Sequence, residues 1–219
     1  MELKIDELRI DLPDADATDR LGQALARTLL AGADVLAIGP GLGQGDWGRT
    51  WFDSALAADR RLVIDADALH LLAQRDGPAP ADAILTPHPG EAAALLGCGT
   101  LDIQSDRLRA ARRVAERYQC AVVLKGAGTV VGAPGRVPRL VEAGNPGMAV
   151  GGMGDVLTGV IASLCAQGLA PFDAACTGAL LHALAGDRAA DEGGPRGLLP
   201  SDLMPWLRRL ANDRAVAWT

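Results

Sequence analysis

Lysine is nearly missing from this sequence. Of 21 basic residues only Lys4 and Lys125 are lysines, and the rest are arginines. Alanine is abundant as well, so the bias reads as compositional drift, and a lysine kept against it at position 125 needs a reason. Positive charge is also short overall. A net charge of −6 excludes a broad basic field for nucleic acid or an anionic membrane. An anionic ligand would have to be held locally, by backbone amides and a few chosen cations. Aromatics make up 3% of the chain, and none interleave the arginines of "SDRLRAARRVAERYQ" (105–119) in the way a nucleic-acid-binding stretch would need. That segment reads as a helix with Leu108, Ala111, Val114, Ala115 and Tyr118 on one face and solvated arginines around the other.

Other absences narrow the class further. The four cysteines, Cys98, Cys120, Cys165 and Cys176, form no CxxC pair and no metal spacing with histidine. Cys165 and Cys176 lie in apolar helical patterns as free thiols, which fits a reducing cytoplasm. "MELKIDELRIDLPDAD" carries no apolar signal core, and no apolar run is long enough to span a bilayer. No GKS or GKT occurs, so there is no Walker A loop.

What is present is alternation. "DVLAIG" (34–39), "RLVIDAD" (61–67), "AILTP" (83–87) and "AVVLKG" (121–126) read as short buried strands. Helical patterns cover 18–30, 105–119, 155–167, 171–190 and 200–210, and "VVLKGAGTVVG" also reads as a hairpin. The 219 residues suffice for one large α/β domain, and this order predicts a mostly parallel sheet with helices on both faces. Ligands of such sheets sit at the carboxyl ends of the strands. The loops there are "GPGLGQG", "DADAL", "TPHPGE" and "KGAGT".

The stretch "GNPGMAVGGMGD" (144–155) has five glycines in twelve residues and runs into an apolar helix. A glycine-rich turn opening a helix exposes free amides at the positive end of the helix dipole, which suits a phosphate in transfer. Asp155 at the junction can take a proton from an attacking hydroxyl; an N-capping aspartate is the plainer alternative. Lys125 and Thr129 can bond phosphate oxygens, while Gly126 and Gly128 permit close backbone approach. The glycines of "GPGLG" would let a substrate lie against the backbone. His88, fixed between two prolines, is a candidate ligand contact, whereas His182 and His70 read as structural. Glu91 is either a helix cap or a metal holder through water. Asp65 and Asp67, two residues apart, start on the same side and could position a hydroxyl or hydrated Mg²⁺; Asp67 fits equally as a helix N-cap.

Together "AIGPGLG", "VIDADAL", "ILTPHPGEAAALLG", "VVLKGAGTVV" and "GNPGMAVGGMGDVLTGVIASLCAQGLAPFDAACTGALLHALAGDRAA" resemble the ADP-dependent NAD(P)H-hydrate dehydratases, the carbohydrate-kinase-like domain of the NAD(P)HX repair system, over about residues 34–190. The resemblance implies a single ribokinase-like domain over 1–219. The implied reaction returns S-NADHX or S-NADPHX to the normal cofactor, using ADP with Mg²⁺ and releasing AMP and phosphate. It implies nucleotide contacts at Lys125, Gly126, Ala127, Gly128, Thr129 and Gly154. It implies substrate contacts at Gly43, His88 and Asp155, with Asp155 catalytic and a homo-oligomer as the assembly. Two departures stand out. Val150 replaces a usual threonine, and the usual N-terminal strand, loop and helix with a GYTGA-like segment is not matched. A shortened substrate half is therefore expected. The rival readings are a ribokinase-like kinase of a vitamin precursor alcohol and a nucleotide-binding fragment without activity.

Overall fold

Each of the four β-rich runs forms a strand in the computed structural model, which describes residues 32–212. They are β1 (Val35–Ile38), β2 (Arg61–Ile64), β3 (Ile84–Leu85) and β4 (Ala121–Leu124), all mutually parallel in that order. The expected hairpin exists as well: β4 turns into antiparallel β5 (Thr129–Gly132), and β6 (Arg139–Val141) completes a six-stranded sheet. The helix expected over 18–30 and the shortened N-terminus fall outside the described residues.

Alternation along the strands builds two cores. Leu62, Ile64, Leu85, Val122 and Leu124 face one layer, made by α1 (Asp46–Ala57), α2 (Ala66–Ala73), α3 (Pro89–Leu96), α4 (Thr100–Ser105) and α5 (Arg107–Tyr118). Val63, Ile84, Ala121, Val123 and Val131 face the other, made by α6 (Met153–Ala166) and α7 (Pro171–Gly193). A last helix, α8 (Leu203–Asn212), packs on α7 through Leu203, Ala185 and Ala189. The sheet is thus buried on both faces, as its uninterrupted apolar strands require. Among the described residues no helix is long and apolar enough to cross a membrane.

Two expectations change at the level of single residues. Arg109, Arg112, Arg113 and Arg117 of α5 are exposed as expected, but Arg107 is not part of that solvated face; it turns inward against the β4–β5 hairpin. Gly39, at the end of β1, is required to be glycine by the neighbouring strand, whatever lies in front of it. A Cβ there would stand 1.7 Å from the carbonyl oxygen of Asp65, and its φ is +136°. The Asp65 amide in turn donates to the Ile38 carbonyl at 3.0 Å, so the two strand ends are locked together. The cysteines are free thiols; burial pushes Cys120 up to about 12 and Cys176 up to about 11, and raises Cys165.

His182, on α7, is the packed histidine the sequence suggested. Burial drives its pKa down to about 4; a backbone bond with Met153 opposes this and the Lys125 charge adds to it. The imidazole Nε2 is buried without a partner. An unfolded histidine takes up its proton near 6.5 and the folded one only near 4, so stability falls as pH drops through that window. The loss is about 3 kcal/mol, at about 1.4 kcal/mol per unit. In urea titrations from pH 7 to 4, His182→Leu is expected to remove that share of the decline. Gly39→Ala is expected to lower stability by about 3 kcal/mol or more at neutral pH, read from the urea midpoint.

Candidate active site

The carboxyl ends of β2 and β4 bring together two charges that lie 60 positions apart. The β2 strand ends at Ile64 and delivers Asp65, which is 1% exposed. The β4 strand ends at Leu124 and delivers Lys125. Lys125 Nζ donates to Asp65 Oδ1 at 2.6 Å, and Thr158 Oγ1 on α6 donates to Asp65 Oδ2 at 2.9 Å. A carboxylate this deep is tolerable only with such partners. Glu91 Oε2, on α3, lies 3.7 Å from Lys125 Nζ. The one cation is therefore drawn by two acids while its side chain stays 19% exposed, open to a third anion.

Asp65 and Asp67 do not share a side. Ala66 between them adopts a left-handed φ of +46°, which ends the strand alternation. Asp65 turns inward, and Asp67 instead accepts from the Gly43 amide at 2.9 Å and Gln44 Nε2 at 3.3 Å. Asp67 is not the N-cap of α2, a position held by Asp65 without a side-chain bond. Its work is to hold the "GPGLG" loop by the Gly43 amide.

His88 is the N-cap of α3. Its Nδ1 accepts from the amides of Gly90 and Glu91 at 3.0 and 3.1 Å, and Glu91 Oε2 accepts from the His88 amide at 2.6 Å. The histidine side chain is still 55% exposed, with Nε2 3.3 Å from Glu91 Oε1. Exposed as expected, it spends Nδ1 on the helix and turns Nε2 toward Glu91. Glu91 is a cap and a partner of Lys125.

The first turn of α6 closes the cluster. Its N-cap is Gly152 at φ +89°, so Asp155 is not the cap but lies one turn in. A Cβ on Gly154 would stand 3.3 Å from Lys125 Nζ and 3.6 Å from Asp65 Oδ2, which places the helix start directly over the ion pair. The preceding loop is tied to α7: the Gly144 amide and Asn145 Nδ2 donate to Asp187 at 2.8 and 3.1 Å. Val150 is exposed on the approach. Asp155 is itself exposed and faces a cleft of about 380 Å³, walled by Gly39–Leu42, Trp47 and Thr158. A second hollow of about 340 Å³ between α7 and α8 contains none of these residues.

In "KGAGT" the Lys125 amide donates to the Pro87 carbonyl at 2.8 Å, and Thr129 Oγ1 donates to the Gly126 carbonyl at 3.1 Å. To bond a phosphate as donor, Thr129 must release that carbonyl. Among the described residues the amides of Gly126, Ala127 and Gly128 have no acceptor, which leaves them for an anion. A protein-built Mg²⁺ cage does not fit this donor set. No group of three or more metal-ligating side chains exists among the described residues, and Asp65, Asp67 and Glu91 are all committed to protein donors. The cation would come with the nucleotide phosphates.

The sequence reading passed over Thr158, Trp47 and Arg107. Thr158 carries no local signal, since its partner Asp65 is 93 positions away. Trp47, one of four tryptophans, is 52% exposed beside the GPGLG loop, and an exposed tryptophan in so aromatic-poor a chain was a usable clue.

Residues 2–209 match the Carb_kinase family, described as NAD(P)H-hydrate dehydratase. The chain is 49% identical over 184 residues to the bifunctional NAD(P)H-hydrate repair enzyme Nnr of Escherichia coli, covering 84% of this chain and 36% of that protein. It thus spans well under half the length of such bifunctional relatives. The Bacillus subtilis ADP/ATP-dependent NAD(P)H-hydrate dehydratase, co-crystallized with ATP/Mg²⁺, superposes with a TM-score of 0.75 at 34% identity, over 84% of this chain and 68% of that one. A ribokinase-like superfamily protein from Enterococcus faecalis superposes with a TM-score of 0.77 at 29% identity, over 88% and 67%. With its ribokinase-like sheet, its lysine at the end of β4 and its glycine-rich entry into α6, the chain belongs to the NAD(P)H-hydrate dehydratase family.

Proposed function

We propose that this chain dehydrates S-NADHX or S-NADPHX to NADH or NADPH at the expense of ADP, releasing AMP and phosphate. The observation that carries the reading is the placement of Lys125 and Asp155 on either side of the first turn of α6. Lys125, the amides of Gly126, Ala127 and Gly128, and the α6 amino end beside Gly154 would hold the terminal phosphate of the nucleotide. Asp155 would take the proton from the hydroxyl on the hydrated nicotinamide ring as its oxygen attacks the β-phosphorus. The bond to AMP breaks. The phosphorylated hydroxyl then leaves as phosphate, with a ring proton lost, so that water is removed at the cost of one phosphoanhydride. Gly43 and His88 would line the substrate side, each fixed by a carboxylate, Asp67 and Glu91. Their rigidity supports a shaped pocket for a large nucleotide.

The reading is tested by incubating purified chain with S-NADHX, Mg²⁺ and either ADP or ATP, and following NADH by its near-ultraviolet absorbance. NADH is expected only with nucleotide, faster with ADP, and with AMP and phosphate in equal amounts. A stable phosphorylated alcohol would instead favour a kinase, and nucleotide binding without turnover a binding module. Asp155→Asn is expected to cut turnover by about 100-fold or more while leaving the ADP dissociation constant within about twofold. Near-normal turnover in that variant would remove Asp155 as the base.

A further inference from the structure

The β4–β5 turn is held from behind by one guanidinium. Arg107, the first residue of α5, sends Nη2 to the carbonyl oxygens of Leu124 at 3.1 Å, Lys125 at 3.2 Å and Gly128 at 3.2 Å. Three acceptors share the two hydrogens of one nitrogen, while Nη1 is steadied by Gln104 Oε1 at 3.0 Å. Asp106 accepts from the Arg109 amide at 2.9 Å and so fixes the helix start from which Arg107 projects. The guanidinium fills the space over Gly126. A Cβ there would stand 2.9 Å from Nη2 and 3.0 Å from Nη1, and the backbone φ is +143°. Burial lowers the pKa of Arg107 from its usual value, and its Nε is buried without a partner. A desolvated cation kept here, in a chain whose other α5 arginines are exposed, has a local task.

That task follows from peptide geometry. Carbonyl and amide of one peptide unit point in opposite directions. Drawing the Leu124, Lys125 and Gly128 carbonyls toward Arg107 turns their peptide partners, the amides of Lys125, Gly126 and Thr129, away from it; the Lys125 amide goes to Pro87, and Gly126 is the turn amide this clasp aims outward. The amides of Gly126, Ala127 and Gly128 have no acceptor among the described residues. The part-buried positive charge also adds to the pull of the turn on an anion. We propose that Arg107 is the positioning residue that shapes the "KGAGT" turn into a phosphate-binding concavity for the nucleoside diphosphate. Arg107 touches no phosphate itself. Its planar fork fixes the carbonyls at both ends of the turn, and with them the Gly126 amide and the span that carries Ala127 and Gly128. The inference rests on the nucleotide reading above and adds to it the residue that makes the turn competent.

The test is ADP binding by titration calorimetry, run on wild type, Arg107→Ala and Arg107→Lys, alongside turnover kinetics. Arg107→Ala is expected to weaken ADP binding by about tenfold or more, the range for losing hydrogen bonds to a charged group. The KM for the nicotinamide hydrate stays near the wild-type value. Millimolar guanidinium chloride, far below unfolding concentrations, is expected to restore ADP affinity in Arg107→Ala, and sodium chloride at equal ionic strength is not. Arg107→Lys keeps charge and stem, so it folds even where alanine does not. Lacking the rigid fork, it is expected to lose at least about threefold in ADP affinity. Wild type that binds ADP together with variants that bind it equally overturns the role of Arg107 alone. Equal effects of guanidinium and sodium chloride do the same. Wild type that binds no ADP overturns the nucleotide reading and this inference with it.

Discussion

The buried pair between Lys125 and Asp65 is the constraint around which the strand ends are arranged. It joins β2 to β4 across the intervening β3, and through Thr158 it joins both to α6. Burying either charge alone would be costly, so each element that contributes to the pair fixes the others. Gly39 has no side chain because the Asp65 carbonyl occupies that space, and Gly154 has none in a turn that lies against Lys125. Close packing of the strand ends, as well as any ligand, therefore favours glycine at these two positions. Replacing both members with neutral residues of similar size could cost the fold little. What the pair provides is a lysine held in one place, partly open to solvent, where a phosphate can compete for it.

Around this centre the site divides by chemistry. In the proposed reading the nucleotide side would be backbone: turn amides and the amino end of a helix, both with fixed partial charges that need no rearrangement to meet an anion. The proposed substrate side would be side chains, with Asp155 exposed in a cleft beside Trp47 and the GPGLG loop. His88 and Gly43 occupy their places through Glu91 and Asp67, so acids of the strand-end loops act as scaffold for the pocket while Asp155 stays unengaged by it. That separation leaves Asp155 free to accept a proton in the proposed chemistry.

Much of this was legible before the structure. The parallel strands, the hairpin and the helices after Asp155 and Pro171 follow from apolar runs bounded by glycine and proline. Lys125 stood out by the rarity of lysine. Helix α1 was missed: it begins after Gly45 with no side-chain cap, and Trp47, Thr50 and Trp51 are indifferent helix formers. The role of His88 was half legible. A glutamate three residues after it has the spacing of a capping box, but with histidine in place of serine or threonine the pattern is easily passed over. The pairing of Asp65 with Lys125 could not be read, because nothing local marks a partner 60 positions away. The expectation that Asp65 and Asp67 share a side failed on a single backbone angle, the left-handed Ala66. Arg107 was lost among arginines that look alike in sequence and differ only in what lies behind them.

The most direct test of this account is ADP affinity, measured by titration calorimetry, in the double variant Asp65→Asn with Lys125→Met. Removing both charges leaves Glu91 without Lys125 but still bonded to the His88 amide and beside its Nε2, so a folded protein is expected, with stability within about 1–2 kcal/mol of wild type. If the pair exists to present Lys125 to a phosphate, this folded variant loses ADP binding by about 100-fold. A folded double variant that binds ADP as wild type does would contradict the account at its centre.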